Sequence, residues 1–500
     1  VPCQREAPRL EAAWRLNRSA GLVVLGLDVQ DLSRDALAFV REYEQTYPTV
    51  RDAGEGAYRA YGLTGVPETF QGHPAGMRAI QLWDNKQHKM PLPSRQAVDA
   101  LAKQVLAVNP MHPIHHYLIH LWNSADGDKR AVAAAANCGQ SAPGIAHMWH
   151  MPGHIFSRLK RYADAAWQQE ASARVDHAHM MRERILPEVG DWFEQGILPR
   201  EVMGELAGLG LFGMHLEGYG LPGASAVAYG LTCLELEAGD SGIRSAVSVQ
   251  GSLAMFAIWR WGSEEQKERW LPPMHTGEVI GCFGLTEPDA GSDPGTMRTH
   301  ARRDGTDWIL NGAKMWITNG TIADVAVVWA RTGDGEVRGF LVERGAPGFS
   351  APEIHKKISL RASVTSELVL QDVRVPAEAM LPGASTLRGP LSCLNEARFG
   401  IVFGAVGAAR ACFEEALAYA KERIVFDKPI SAYQLTQQKL AEMALEINRA
   451  QLVALHVGRM KDNGTLRSEH VSLGKMGNVR GALEVCRSAR TILGGNGITL

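Results

Sequence analysis

Long apolar runs are missing from this sequence. No uninterrupted stretch is long enough to span a bilayer, and residues 1–30 lack the basic start and apolar middle of an export signal. No membrane span is expected, and the location expected is cytoplasmic. Excess charge is missing as well: 52 Lys+Arg stand against 54 Asp+Glu, a net charge of −2, with an isoelectric point near 6.8. That balance argues against general attraction to nucleic acid or to an anionic membrane. Cysteine is sparse, with seven residues scattered from Cys3 to Cys486 and none paired by a short spacing. Scattered and odd in number, they read as reduced thiols and not as a disulfide framework. What is present is ordinary globular material, 45% hydrophobic and 21% charged, which excludes wholesale disorder. Its 500 residues exceed one ordinary domain and suffice for two to four.

Three regions differ in character. Residues 1–70 alternate helix, apolar strand (LVVLGLDV), helix and loop, the pattern of an α/β piece. Residues 71–187 hold eleven of the 17 histidines and read as amphipathic helices, among them QAVDALAKQVLAV and YADAAWQQEASARVDHAHMM, with helical hairpins as the expected unit. From Glu188 onward the order is helical to about residue 277, then strand-rich through 278–395, then helical over 396–500. HARRDGTDWILNGAKMWITNG, VAVVWA, RGFLVERG and ELVLQDVRVPA predict an antiparallel sheet package. The long runs after it predict a bundle. The fold class expected is therefore multidomain α+β.

Chemistry-bearing strings begin in the third region. CFGLTEPDAGSD sets Thr286, Gly291 and Ser292 after an apolar strand, where backbone N–H groups of a Gly-Ser turn can approach a phosphate or a flavin edge. Alone it is also plain turn chemistry. KMWITNG places Trp316 and Thr318 on one strand face, suited either to a planar cofactor or to a sandwich core. GGNG at 494–497 follows a helix and reads as a C-cap by itself.

Together with DSGIRSAVSVQGSL, SLRAS and CLNEARFGI, and in this order, these strings over residues 188–500 resemble the acyl-CoA dehydrogenase flavoproteins, the glutaryl-CoA dehydrogenases among them most closely. The resemblance implies a helical domain at 188–277, a β domain at 278–395 and a C-terminal helical domain at 396–500. It implies FAD held by Phe283, Leu285, Thr286, Gly291 and Ser292 with Trp316, Ile317 and Thr318. Arg423, Gln434, Leu493, Gly494 and Gly495 would reach the FAD of a neighbouring subunit, which implies a homo-oligomer, a tetramer in the family. Glu237, Arg244 and Ser245 would recognise the distal carboxylate of glutaryl-CoA, and Ser292 with Leu391, Asn395 and Arg398 would wall the acyl-CoA. A buried carboxylate needs a charged partner, which suits Arg244 to a dicarboxylic chain. A structural pairing of Arg244 with Asp240 or Glu237 is the other reading. The implied reaction is α,β-dehydrogenation of glutaryl-CoA with decarboxylation to crotonyl-CoA, with electron-transfer flavoprotein as electron acceptor.

Departures from the family pattern follow. The family's catalytic glutamate belongs to a segment after GGNG, so no residue of this sequence is assigned as catalytic base, and an impaired enzyme is expected. The family's first helix is expected to be missing ahead of Gly190. Asp427 and Ser366 stand where glycine is usual, which puts local loop geometry in question. Over 1–70, VPCQREAPRLEAAW and TGVPETF resemble a thioredoxin-like fragment in which Cys3 lacks its C-x-x-C partner and Pro67 would be the facing cis-proline. The 71–187 helices resemble tetratricopeptide-like segments, and the whole suggests a fusion. There His112, His116 and His120, and His147, His150 and His154, recur at helical spacing that suits either metal ligation or helix packing, and no metal ligand is assigned. The alternative function is a non-catalytic chain that binds through this histidine-rich segment.

Overall fold

The structure, a computed structural model, describes residues 26–28, 49–51, 95–123 and 128–498. Cys3, Pro67 and nearly all of the thioredoxin-like reading lie outside the described residues. Two three-residue strands there, β1 (Gly26–Asp28) and β2 (Thr49–Arg51), pair in parallel. The chain forms two compact units, residues 1–173 and 174–500.

The first unit is helical from residue 95: α1 (Arg95–Val108), α2 (His115–Trp122), α3 (Val132–Ser141), α4 (Ala146–Arg158) and α5 (Tyr162–His179), whose last turns lie in the second unit. Apolar residues three and four apart supply one buried face per helix. Val98, Ala102 and Val105 of α1 meet Leu118, Ile119 and Trp122 of α2, and Met148, Met151 and Ile155 of α4 close the same core. The indole of Trp122 donates to Asp99 Oδ1 at 2.9 Å, which satisfies a buried N–H.

In the second unit the last turns of α5 continue through a π-helical segment (Met180–Ile185) into α6 (Leu186–Gln195), followed by α7 (Arg200–Gly208). A helix therefore does precede Gly190. Its Met181 and Ile185 are buried in the domain core, and Arg174 meets the buried Glu235 at 2.8 Å. A short hairpin of β3 (Glu217–Gly218) and β4 (Leu221–Pro222) leads to α8 (Ala226–Gly239), α9 (Ser241–Ser248), a second π-helical segment (Val249–Met255), α10 (Phe256–Trp261) and α11 (Glu264–His275).

The sheet that follows contains β5 (Gly281–Gly284), β6 (His300–Asp304), β7 (Asp307–Thr318), β8 (Val325–Thr332), β9 (Val337–Glu343), β10 (Phe349–Ser350) and β11 (Thr365–Val375). Its order is β10-β11-β7-β6-β8-β5, with β9 also on β8. The sheet is mixed where an antiparallel one was expected, because β8 runs parallel to both β5 and β6. GCFG is buried at every residue and pairs with VAVV, a run buried on both faces, which is how parallel strands usually sit. Long helices close the fold: α12 (Arg388–Glu422), α13 (Gln434–Asp462) and α14 (Ser468–Leu493). The apolar residues Phe399, Val402, Phe403, Val406 and Ala409 seat α12 on the bundle core. Opposite α8, Gly400, Gly404 and Gly407 leave no side chains, so the two backbones approach closely. Arg410 of α12 crosses to Glu235 of α8 at 2.6 Å.

Candidate active site

A cleft of about 390 Å³ opens where helical domain, sheet and α12 meet, within the range typical of small-molecule pockets. Three separated strings converge on it. The end of β5 and its loop contribute Phe283, Leu285, Thr286, Gly291 and Ser292; the end of β7 contributes Trp316, Ile317 and Thr318; α12 contributes Leu391 and Leu394. Sequence reasoning missed Val249 and Leu253, which reach the cleft from the π-helical segment between α9 and α10. Such segments commonly occur at functional sites, and the small-residue run SAVSVQGSL was their one signal.

The loop after β5 is fixed by a buried ion pair. Lys314 of β7 is fully buried and its ammonium donates to Glu287 Oε1 at 2.8 Å and to the Leu285 carbonyl at 3.1 Å. The same carboxylate accepts from the amides of Arg298 at 2.6 Å and Thr299 at 2.9 Å, so both ends of the loop are tied to one strand. Burial pushes the Lys314 ammonium down to about 8 despite the hold of Glu287. Burial also works against the Glu287 carboxylate, but Lys314, Thr299 and the Arg298 amide outweigh it and keep its pKa below the ordinary value. The Met315 amide donates to the Thr286 carbonyl at 2.8 Å, which brings loop and strand edge together.

At the end of β7 the backbone leaves regular extension. Trp316 and Asn319 have φ of 64° and 66°. A non-glycine residue held there is costly unless its surroundings fix it, and such residues cluster at functional sites. Asn319 is fixed by donating its side-chain amide to the Ala246 carbonyl of α9 at 3.1 Å and its backbone N–H to the Val364 carbonyl at 3.1 Å. Trp316 consequently stands in the cleft 61% exposed, while Phe283, Leu285 and Ile317 are buried around it. An uncovered aromatic face over an apolar floor, rimmed by the hydroxyls of Thr286, Ser292 and Thr318, fits a flat ring system with polar edges.

The residues expected to read the acyl chain take two positions. Asp240 caps α9 by accepting from the Ile243 amide at 3.0 Å, which orients the first turn and Arg244 on it. Arg244 pairs with Glu237 of α8, and Ser241 donates to the other carboxylate oxygen at 2.5 Å. The guanidinium is buried. Burial opposes its charge, and Glu237 more than offsets this and holds its pKa above the ordinary value. Ser245 follows on the same helix, half-buried. On α12, Leu391 lines the cleft, the side-chain oxygen of Asn395 is buried without a hydrogen-bond partner, and Arg398 donates to Ser472 of α14. Among the described residues lining the cleft none carries a carboxylate.

Arg423, Gln434, Leu493, Gly494 and Gly495 do not line this cleft. Arg423 ends α12 and accepts from the Ile430 amide at 2.9 Å, while Gln434 begins α13 and Leu493 ends α14. They flank a second, open depression of about 310 Å³ bounded by Phe426, Tyr433, Thr491 and Ile492 among others. Phe426 and Asp427 form the turn of the hairpin between Ile424–Val425 and Lys428–Pro429, both at positive φ. Asp427 thus does what glycine does there, since a short polar side chain tolerates the left-handed region. Ser366 is fully buried and its hydroxyl has no partner; it packs against Gly320, which has no side chain to obstruct it.

Comparison with known proteins decides the family. Residues 168–278 match the N-terminal domain of acyl-CoA dehydrogenases, 282–373 their middle domain and 388–500 their C-terminal domain. The chain belongs to the acyl-CoA dehydrogenase family. It is similar to the crystal structure of a glutaryl-CoA dehydrogenase from Mycobacterium smegmatis in complex with FADH2, with 61% identity and a TM-score of 0.66 over 67% of this chain and 86% of that one. It is 35% identical over 325 residues to the short-chain specific acyl-CoA dehydrogenase of Megasphaera elsdenii, covering 63% of this chain and 85% of that protein. It is 34% identical over 311 residues to the human mitochondrial short-chain specific enzyme, covering 61% and 75%. As an acyl-CoA dehydrogenase it is an oxidoreductase of the CH–CH type, and the match begins at residue 168, ahead of the Glu188 start that the motifs imply. No helix among the described residues is long and apolar enough to cross a membrane.

Proposed function

We propose that this acyl-CoA dehydrogenase binds FAD in the 390 Å³ cleft and acts on glutaryl-CoA. Bound FAD supplies a hydride acceptor for the β-carbon of the acyl chain. The chain's own residues do the rest of the positioning. Trp316 covers the ring system from one side. Thr286, Ser292 and Thr318 offer hydroxyls to its polar edges, and the Lys314–Glu287 pair keeps their two segments in register. Leu391 and Leu394 keep water from the acyl chain. Asn395 and Arg398 continue this wall along α12. We assign α-proton abstraction to no residue of this sequence. Decarboxylation to crotonyl-CoA, and transfer of electrons to electron-transfer flavoprotein, complete the proposal.

The observation that carries the dicarboxylate reading is Arg244. It is a buried guanidinium on α9, the helix whose continuation lines the cleft through Val249 and Leu253. A monocarboxylic chain offers it nothing, whereas a terminal carboxylate can share it with Glu237. The 61% identity to the Mycobacterium smegmatis glutaryl-CoA dehydrogenase supports the same choice over a short-chain monocarboxylate. The test is an anaerobic titration of the purified flavoprotein, following the visible spectrum, with glutaryl-CoA and with butyryl-CoA. Tighter binding of glutaryl-CoA is expected. In Arg244→Gln that preference should fall by at least about tenfold, the equivalent of ~1.4 kcal/mol. Equal binding of the two ligands by the unaltered protein would refute the substrate, and a colourless preparation would refute the cofactor. We further propose that the chain assembles with copies of itself, with Arg423, Gln434 and Leu493 to Gly495 completing the nucleotide end of a neighbour's FAD site.

A further inference from the structure

The strongest unassigned chemistry lies in the first unit. His116 and His120 lie one turn apart on α2, and His147 lies in the first turn of α4. The two sequence trios are recombined in space: His112 precedes α2 and accepts from the Ile114 amide through Nδ1 at 3.1 Å, while His147 from the second run joins His116 and His120 from the first. His116 Nε2 lies 3.0 Å from His120 Nε2 and 3.1 Å from His147 Nε2, and all three ligand atoms fall within 4.8 Å of one another. The rings meet edge to face, at interplanar angles of 75° and 78°.

Three imidazole nitrogens pointed at one spot are poorly served by one another. A ring nitrogen carries either a proton or a lone pair, so His116 Nε2 can donate to one neighbour or split one lone pair between two. A cation accepts from all three. Nitrogens held about 2.0–2.1 Å from a tetrahedral zinc stand roughly 3.3 Å apart, close to the two separations measured from His116 Nε2. The site is also set in advance. His116 lies deepest of the three and His147 outermost, and the helices that carry them are locked by Leu118, Ile119, Met148 and Met151.

We propose that His116, His120 and His147 bind one divalent transition-metal ion of the zinc type, with a fourth position open. Three neutral nitrogen donors and no hard oxygen cage select zinc, copper or nickel over magnesium or calcium. His150 and His154 pair through Nε2 at 3.0 Å, and His150 Nδ1 is taken by Gln169 Oε1 at 2.7 Å. Among the described residues they belong to no group of three, so the expected stoichiometry is one.

The test uses the full chain, free of any histidine tag and stripped with chelator, then titrated with zinc chloride and assayed for bound metal by elemental analysis. One zinc per chain is expected, and cobalt loaded in its place should show the visible bands of a tetrahedral site. His116→Ala should lose at least about tenfold in affinity, the smaller end of what even an outer-shell change costs. His147→Ala repeats the test at an exposed position, with helical circular dichroism recorded for both variants, and His154→Ala should bind as before. No uptake of zinc or copper at tens of micromolar would overturn the proposal. Uptake that survives both the His116 and His147 substitutions would do so equally.

Discussion

Lys314 carries more of this site than its place in a strand suggests. It is fully buried, and its one anionic partner, Glu287, anchors the loop that brings Thr286 and Ser292 to the cleft. Breaking a buried pair by removing one partner leaves a charge without compensation, so Lys314→Met should cost about 3–5 kcal/mol of stability in urea unfolding. Flavin retention should fall with it. The pair also sets an acid limit. The folded Glu287 carboxyl titrates below its ordinary 4.5, so its contribution is in place above about pH 4.5 and is lost as pH falls through the lower folded value. Thermal unfolding followed from pH 6 down to pH 3 should show this loss, and the Lys314 variant should show a shallower one. Neither residue was legible in the sequence. Lys314 stood in KMWITNG as one polar residue near a tryptophan, Glu287 as one acid in a turn, and the sequence between them, a separation of 27 positions, carries no pattern that pairs them. The strings that line the cleft were legible because each is contiguous: Phe283 to Ser292 and Trp316 to Thr318 stay together as short runs whatever the fold does. Their mutual approach depends on a long-range strand pairing that periodicity does not show.

At the scale of elements, α12 shows how small residues set a site. Gly400, Gly404 and Gly407 recur at i, i+4 and i+7 and let its backbone ride on α8, the helix that carries Glu235 and Glu237. A methyl group at Gly407 would lie against the Leu234 carbonyl, which cannot move aside. Gly407→Ala should therefore cost about 1–3 kcal/mol, measured by urea unfolding, although alanine is the better helix former by about 1 kcal/mol. The sequence showed that long helices close the chain, because amphipathic runs repeat the same signal many times, but not that α12 begins at Arg388, inside the stretch expected to belong to the β domain. It did not show the parallel partners of β8. Turn residues between runs suggested hairpins, whereas β8 pairs with β5 and β6 across intervening chain. The histidine runs were legible as helix faces only, and which faces meet was decided by the packing of α2 on α4.

At the scale of the molecule, the closing helices leave apolar surface uncovered. Leu473, Met476, Val479 and Leu483 share one side of α14 and are 63%, 47%, 42% and 48% exposed, and Leu445, Leu452 and Val453 do the same on α13. Contiguous apolar strips of this kind mark surfaces that associate. Light scattering on the purified chain should give a mass that is a multiple of 54.4 kDa. The double change Leu473→Glu with Leu483→Glu should shift it to a smaller species with little loss of helix. A monomeric wild-type chain would refute the assembly proposed above.

The pairing of Arg244 with Glu237 has one more consequence. Under the dicarboxylate reading proposed above, the ligand would meet a guanidinium that is already engaged, so its affinity would be the difference between two anion contacts and not the full strength of one. An internal rival of this kind screens out weak anions, because only a group that outcompetes or shares with Glu237 gains anything from Arg244. Removal of the rival would raise affinity for acidic chains in general and reduce discrimination among them, so under that proposal selectivity at this position would be a property of an exchange between partners.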